Sequence, residues 1–278
     1  MLRRAKPLLG TLVEITCEAT DAADTCATFT ASQAGFAAVT RVHALMSRYE
    51  ATSEVCQLNA ARAGQWLAVS PDTLAVFVFS SQLSAQTHGA FDVFSARTPH
   101  SGGSSIGGSS ASGLWQSLEI DAPGSRLRKH APLQADLGGV AKGYAVDVAV
   151  AALQQAGMRH GWVNAGGDLR VFGDMDVPMW VRAPRDVSQL LDCARLRNAA
   201  AATSADYESD GGRGDATDGA AVNALRHGQT GRRAPRGTSW TVTAPSAMVA
   251  DALTKLVAVT GDVSHPLLAH YAAQAWMY

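Results

Sequence analysis

The sequence is short of the features that would assign it to several large classes. Its four cysteines, Cys17, Cys26, Cys56 and Cys193, form no Cys-x-x-Cys pair. Metal-ligand spacing is therefore missing, and nothing requires an oxidising compartment; the thiols read as small buried apolar residues. Aromatic residues make up 6% of the chain and the formal net charge is -1. With no basic run interleaved with Phe or Tyr, a nucleic-acid partner is not expected. No stretch approaches the ~20 consecutive apolar residues of a membrane span. The start, "MLRRAKPLLGTLVEITCEA", is basic, but Gly10, Thr11 and Glu14 break its apolar stretch. Neither a signal peptide nor a lipobox is seen, and the expectation is a cytoplasmic protein.

Nucleotide and nucleophile signatures are missing as well. There is no G-x-G-x-x-G and no G-x-x-x-x-G-K-[ST], and no G-x-S-x-G elbow supports a serine nucleophile. The histidines occur singly, and His227, in the glycine-bearing stretch "LRHGQTG", is the one read as functional.

What is present is enough apolar material for a sizeable core, 47% of 278 residues. "TLVEITCEA" (11–19) alternates as a half-buried strand does. Residues 24–49 carry Phe36, Val39, Val42, Leu45 and Met46 at helical spacing. Ser70-Pro71-Asp72 opens a helix that reaches about His88. Strands are expected near 117–120 and 126–129, and a helix over 142–156 ends at Gly157. "HGWVNAGGDLRVFGD" (160–174) reads strand, Gly-Gly turn, strand. "PMWVRAP" and "CARLRNAAAATS" read as further strands of the same sheet. A strand over 239–245, a helix capped by Ser246, a short helix at 265–271 and a final strand "AQAWMY" complete the chain. Low-complexity inserts are expected near 100–113 and 209–221. Strands and helices without regular alternation predict an α+β class, a mixed sheet with packed helices in a single domain.

Chemistry concentrates in two glycine corners, "DLGGVAKGYAVD" (136–147) and "NAGGDL" (164–169). Gly138-Gly139 before a helix lets backbone approach an anion closely, and Lys142 adds a full positive charge nearby. The plain alternative is a tight turn beside a surface lysine. In "ADALTKL", Thr254 and Lys255 lie three and four positions after Asp251, on one helix face. That pattern is either an ordinary ion pair or part of a hard-cation site, since Mg²⁺ takes one or two carboxylates together with phosphate oxygens.

In order, "PLLGTLVEI", "MSRYEATSEVCQLN", "GAFD", "DLGGVAKGYAVD…NAGGDLRVFG", "ATSADY", "QTGR" and "TVTAPSAMVADAL" resemble the ApbE family of FAD:protein FMN transferases over nearly the whole chain. The resemblance implies the α+β flavin transferase fold with an FAD cleft. It also implies transfer of FMN from FAD to a Thr or Ser of an acceptor flavoprotein, with Mg²⁺ and release of AMP; some members hydrolyse FAD instead. Carried over residue by residue, Leu9, Tyr49, Ala90, Phe91, Asp92 and Leu225 would line the FAD site. Asp136 would meet the adenine end and Lys142 the pyrophosphate. The carbonyl of Gly139 and the side chain of Asp251 would hold the metal. Two positions depart from the family pattern. Ala224 stands where the family has a His, leaving His227 as the candidate base. Lys255 stands where the family has a metal-binding Thr; either Thr254 takes over as ligand, or the Lys255 ammonium sits where the metal would be, pairs with Asp251 and weakens Mg²⁺ binding. A non-catalytic FAD-binding protein is the rival reading.

Overall fold

Alternating burial builds the sheet, and runs of small residues let helices lie flat against it. The structure is a computed structural model that describes residues 1–19, 25–94, 113–184, 186–205, 225, 227–235 and 237–278. The inserts expected near 100–113 and 209–221 lie, apart from Gly113, outside the described residues.

The chain opens with a hairpin, β1 (Leu2–Leu8) and β2 (Thr11–Ala19). Val13, Ile15 and Cys17 of β2 are fully buried, as alternation requires. Next come α1 (Thr25–Met46), α2 (Glu54–Ala60), β3 (Trp66–Ala68) and α3 (Pro71–Gln86). Ser70 caps α3 by accepting the Thr73 amide at 3.3 Å, with Pro71 in the first turn. A small sheet then forms from β4 (Leu118–Asp121) and β5 (Arg126–Lys129), in the order β3-β5-β4. The helix α4 (Ala141–Gln155) leads into β6 (Met158–Ala165) and β7 (Asp168–Phe172). After them come β8 (Val177–Ala183), β9 (Asp186–Leu196), β10 (Ala200–Ala205) and β11 (Ser239–Ala244). The chain closes with α5 (Ala247–Thr260), α6 (Pro266–His270) and β12 (Gln274–Met277).

The main sheet runs β1-β2-β6-β7-β10-β11-β12, antiparallel at every pairing. The helices α1, α4 and α5 pack against it, and α4 packs against both α1 and α5. Gly35 of α1 shows how tightly, since a Cβ there would stand 2.8 Å from the Ile15 side chain. Sheet and helices share one large core containing Phe36, Leu153, Phe172, Trp240 and Leu253.

Three expectations are corrected. "PMWVRAP" and the start of "CARLRNAAAATS" do not extend the main sheet: among the described residues β8 and β9 pair only with each other, and of these stretches β10 alone joins it. Their hairpin has its own core, Met179, Val181 and Leu196 against Val171 and Ala201. Those last two alternate with Phe172, Ala200 and Ala202, which face the main core, so the hairpin covers the opposite face of β7 and β10. Period-2 patterning cannot tell an added strand from a hairpin laid across a face. Second, of the four thiols Cys17 alone is buried; Cys26 is exposed and Cys56 and Cys193 are half-buried. Third, the first helix stops at Met46, short of Tyr49. The short elements β1, β3 and α2 were not anticipated.

Candidate active site

Both glycine corners serve close approach. Ala165 pairs with Asp168, leaving Gly166 and Gly167 as a two-residue turn with φ of 60° and 97°. Positive φ at both positions is the type I′ requirement that only glycine meets without strain. The side chain of Thr11 lies over this turn, so that a Cβ on Gly166 would stand 2.5 Å from its Oγ1. Thr11 also closes the β1–β2 turn at Leu9 and Gly10, where Leu9 itself adopts φ 55°. Leu9 therefore lies on a shallow cleft lined by Pro7, Leu8, Thr11, Leu12 and His43, beside the second glycine corner.

At the other corner α4 meets α5. A Cβ on Gly143 would collide with the Ala247 carbonyl and stand 2.8 Å from the Asp251 Cβ, so the absence of a side chain lets the two helices touch. Asp147, one turn on, closes the start of α5: its carboxylate accepts the Ala247 and Met248 amides at 2.9 Å each. Arg170 donates to the same carboxylate at 2.6 Å. The motif "DLGGVAKGYAVD" thus joins two helices as well as shaping a corner.

Four charged side chains converge where α4, α5 and β7 meet. Lys142 donates to Asp168 at 2.8 Å. Lys255 donates to Asp251 Oδ1 at 2.5 Å, to Ser204 Oγ at 2.8 Å and to Thr254 Oγ1 at 3.2 Å. The other Asp251 oxygen accepts the Gly143 amide at 3.1 Å. Thr254 donates to the Asp251 carbonyl at 2.7 Å and lies 2.9 Å from Ser204 Oγ. Both carboxylates and Thr254 are fully buried, an arrangement that only paired charges make tolerable.

The two carboxylates respond in opposite directions. Burial, then the charge of Asp251, pushes the Asp168 carboxyl up to about 6 against the pull of Lys142 and Lys255. Burial also opposes charge on Asp251, but Lys255, Lys142 and the Gly143 amide outweigh it and hold that carboxyl below its ordinary range. Among the described residues, Asp168 Oδ1 is buried with no hydrogen-bond partner. Asp251 is therefore the firmly ionised member, and Asp168 is a carboxylate whose charge is maintained mainly by Lys142.

The remaining candidates form two adjoining groups. Asp136 Oδ1 accepts the Gly138 amide at 2.9 Å, Oδ2 accepts from Arg48 at 2.5 Å, and its own amide donates to the Val93 carbonyl at 2.8 Å. The Arg48 guanidinium lies 4.9 Å from the Tyr49 ring centre, with Tyr49 83% exposed. In the second group Ala90, Phe91 and Asp92 are buried, and Asp92 accepts the Phe94 amide at 2.9 Å and the Trp115 amide at 3.1 Å. The Gly228 amide donates to the Ala90 carbonyl at 2.9 Å, which seats the His227 loop against this segment. Burial, then Arg232, lowers the His227 pKa. Leu225 is half-buried against the main core, its carbonyl accepting the Ala234 amide at 3.1 Å. Ala224 lies outside the described residues.

The sequence expectation made Gly139, Asp251 and Thr254 ligands of a divalent ion. The fold does bring them together, but around an ammonium. Lys255 occupies the oxygens of Asp251 and Thr254, and its stem covers Gly139, where a Cβ would be 3.2 Å from Lys255 Cγ. Mg²⁺ needs oxygens at ~2.0–2.1 Å in near-octahedral order. Charges of +2 and +1 about 3 Å apart repel by roughly 10 kcal/mol even at an effective dielectric of about 20. The residues as arranged do not fit a divalent ion beside Lys255, and among the described residues no group of three or more His, Cys, Asp or Glu is placed to hold a metal. Sequence reasoning did not single out Asp168, Ser204, Arg48 or Asp147. Asp168 carried a signal, since it directly follows the Gly-Gly turn; Arg48, Asp147 and Ser204 lie inside the matching segments, but no spacing marked them individually.

Comparison with known proteins points one way. A model of the ApbE family matches residues 9–276. The FAD:protein FMN transferase of Rhodobacter capsulatus is 29% identical over 236 residues, which is 79% of this chain and 44% of that protein. The chain thus spans less than half the length of this relative. A mutant of the flavin transferase ApbE from Vibrio cholerae superposes with a TM-score of 0.75 at 25% identity, covering 99% of this chain and 92% of its own. The ApbE protein of Thermotoga maritima, at 23% identity, shares the fold with a TM-score of 0.75 over 99% and 93% of the two chains.

Proposed function

The chain belongs to the ApbE family, and on that premise we propose that it is an FAD:protein FMN transferase. The observation that carries this reading is the pairing of Lys142 with buried Asp168 at 2.8 Å between the two glycine corners. It is supported by the transferase name of the Rhodobacter capsulatus relative.

Cleaving FAD at its pyrophosphate calls for charge neutralisation on phosphoryl oxygens and an in-line nucleophile, with little covalent help from the protein. A Thr or Ser oxygen of the acceptor flavoprotein forms the new bond to the FMN phosphorus. The bond from that phosphorus to the bridging oxygen breaks, and AMP leaves with the bridging oxygen. The hydroxyl proton passes to a base, for which His227 is the candidate. Lys142 lies on the first turn of α4, where its charge adds to the positive end of the helix dipole. Asp168 fixes the direction in which that charge points. Leu9, Tyr49, Ala90, Phe91, Asp92, Asp136 and Leu225 would line the FAD cleft. A Mg²⁺ requirement is the family expectation, but no step is assigned to the ion because Lys255 occupies its oxygens.

The test is separation of products after FAD is incubated with the protein and an Asp-Gly-x-Thr-Gly-Ala-Thr peptide. AMP together with flavin-labelled peptide is the expected result. FMN and AMP with unlabelled peptide would make the chain a hydrolase of FAD. Bound but intact FAD, while a known transferase labels the same peptide, would make it a flavin-binding protein without turnover. The ion pair between Lys255 and Asp251 is the observation that favours this last reading.

A further inference from the structure

The surroundings of Lys255 are built for a cation. An ammonium has three N–H groups and no acceptor, and here it meets three oxygens, from Asp251, Ser204 and Thr254. These come from α5 and β10, so folding assembles the set. Asp251 and Thr254 are fully buried, and the Lys255 side chain is itself only 16% exposed. Thr254 spends its own proton on the Asp251 carbonyl, which turns its lone pairs toward the ammonium. Gly139 leaves room for the aliphatic stem. A surface i,i+4 pair has none of these supports.

We propose that the Lys255 ammonium is the resident cation of this site, filling the place on Asp251, Thr254 and Ser204 that a divalent ion would take. The inference rests on the transferase reading for the identity of the anion, the FAD pyrophosphate, but not for the cation assignment itself. With its three N–H groups engaged by protein oxygens, Lys255 acts as a fixed positive charge. Lys142, paired with Asp168 at 2.8 Å and 30% exposed, is the lysine that faces the phosphates. FAD handling in this chain is then independent of a divalent metal at Asp251.

The experiment is a Mn²⁺ titration followed by electron paramagnetic resonance, on protein alone and with FAD, and with FAD alone as blank. The wild type is expected to bind no Mn²⁺ beyond the blank, and any FAD cleavage it shows should survive EDTA. Lys255→Ala opens the oxygens and should gain one Mn²⁺ site at least about tenfold tighter than any in the wild type. That site should vanish when Asp251→Asn is added. Mg²⁺ should also raise the Tm of Lys255→Ala by about 4 °C or more while leaving the wild type unmoved.

One Mn²⁺ per wild-type chain, lost in Asp251→Asn, overturns the proposal. So does a folded Lys255→Ala that binds no Mn²⁺, because its oxygens would then not form a cation site. If Lys255→Ala does not fold, even with Mg²⁺, the wild-type titration alone decides. If FAD stays intact in the wild type under every condition while the Mn²⁺ pattern is as expected, the transferase reading fails and the cation assignment stands.

Discussion

Lys142 and Asp168 meet at 2.8 Å, the lysine from the first turn of α4 and the carboxylate from the first residue of β7. One side chain is 30% exposed and the other is sealed at 0%. The exposed end can meet a ligand, while the sealed end fixes where it points. Such a pair is costly to break from one side, because the partner remains as a buried charge.

The pH response of Asp168 follows from that sealing. Its carboxyl moves from 3.8 to about 6 on folding. Between those values the folded chain holds more protons than the unfolded one, so this group's contribution to stability falls as pH rises through the window and is flat above it. Asp168→Asn removes the titration. Wild-type stability relative to Asp168→Asn should decline by on the order of 1–3 kcal/mol between about pH 4 and about pH 6. Urea unfolding at a series of pH values measures it, and a flat difference would show that Asp168 does not titrate there.

His227 gives a kinetic counterpart. Burial, then Arg232, lowers its pKa from 6.5, so its base form persists at neutral pH. Transfer to an acceptor peptide should rise with pH along a limb whose midpoint lies below 6.5. His227→Gln should erase that limb and slow transfer by about 10²-fold. A limb that survives the substitution assigns the base elsewhere.

Gly143 should be among the least replaceable residues in the chain. A methyl group there meets the Ala247 carbonyl and the Asp251 Cβ, and backbone cannot step aside as a flexible side chain can. Gly143→Ala should cost about 1–3 kcal/mol or more despite its better helix propensity, read as a lower urea midpoint at unchanged slope. A stabilised variant would mean that α4 and α5 are not in contact at this point.

Asp147 should matter to stability. It accepts two amides at the start of α5 and pairs with Arg170. Asp147→Ala is expected to lose about 2 kcal/mol, and Asp147→Asn, which keeps an acceptor oxygen, about half of that. Equal losses in the two variants would indicate that the charge, and not the cap, does the stabilising.

Much of the fold was legible because its signals are local. Alternation in "TLVEITCEA", Ser70-Pro71 and Ser246 at helix starts, and the Gly166-Gly167 turn each declare themselves within a few residues. The hairpin of β8 and β9 did not. Its residues alternate as sheet strands do, but which face they cover depends on how the hairpin folds back onto Val171 and Ala201, which flank it in sequence but sit on β7 and β10 of the main sheet.

The candidate site divides in the same way. The order of its segments, the glycine corners, Lys142, and the four-residue step from Asp251 to Lys255 stand in the sequence by themselves, because backbone conformation and helix periodicity are properties of neighbours. That Asp168 takes Lys142, that Ser204 completes the oxygens around Lys255, and that Asp147 caps a helix a hundred residues away were decided only by tertiary structure. A buried charge acquires its partner from whatever chain folding brings within about 3 Å, and sequence spacing sets no such distance.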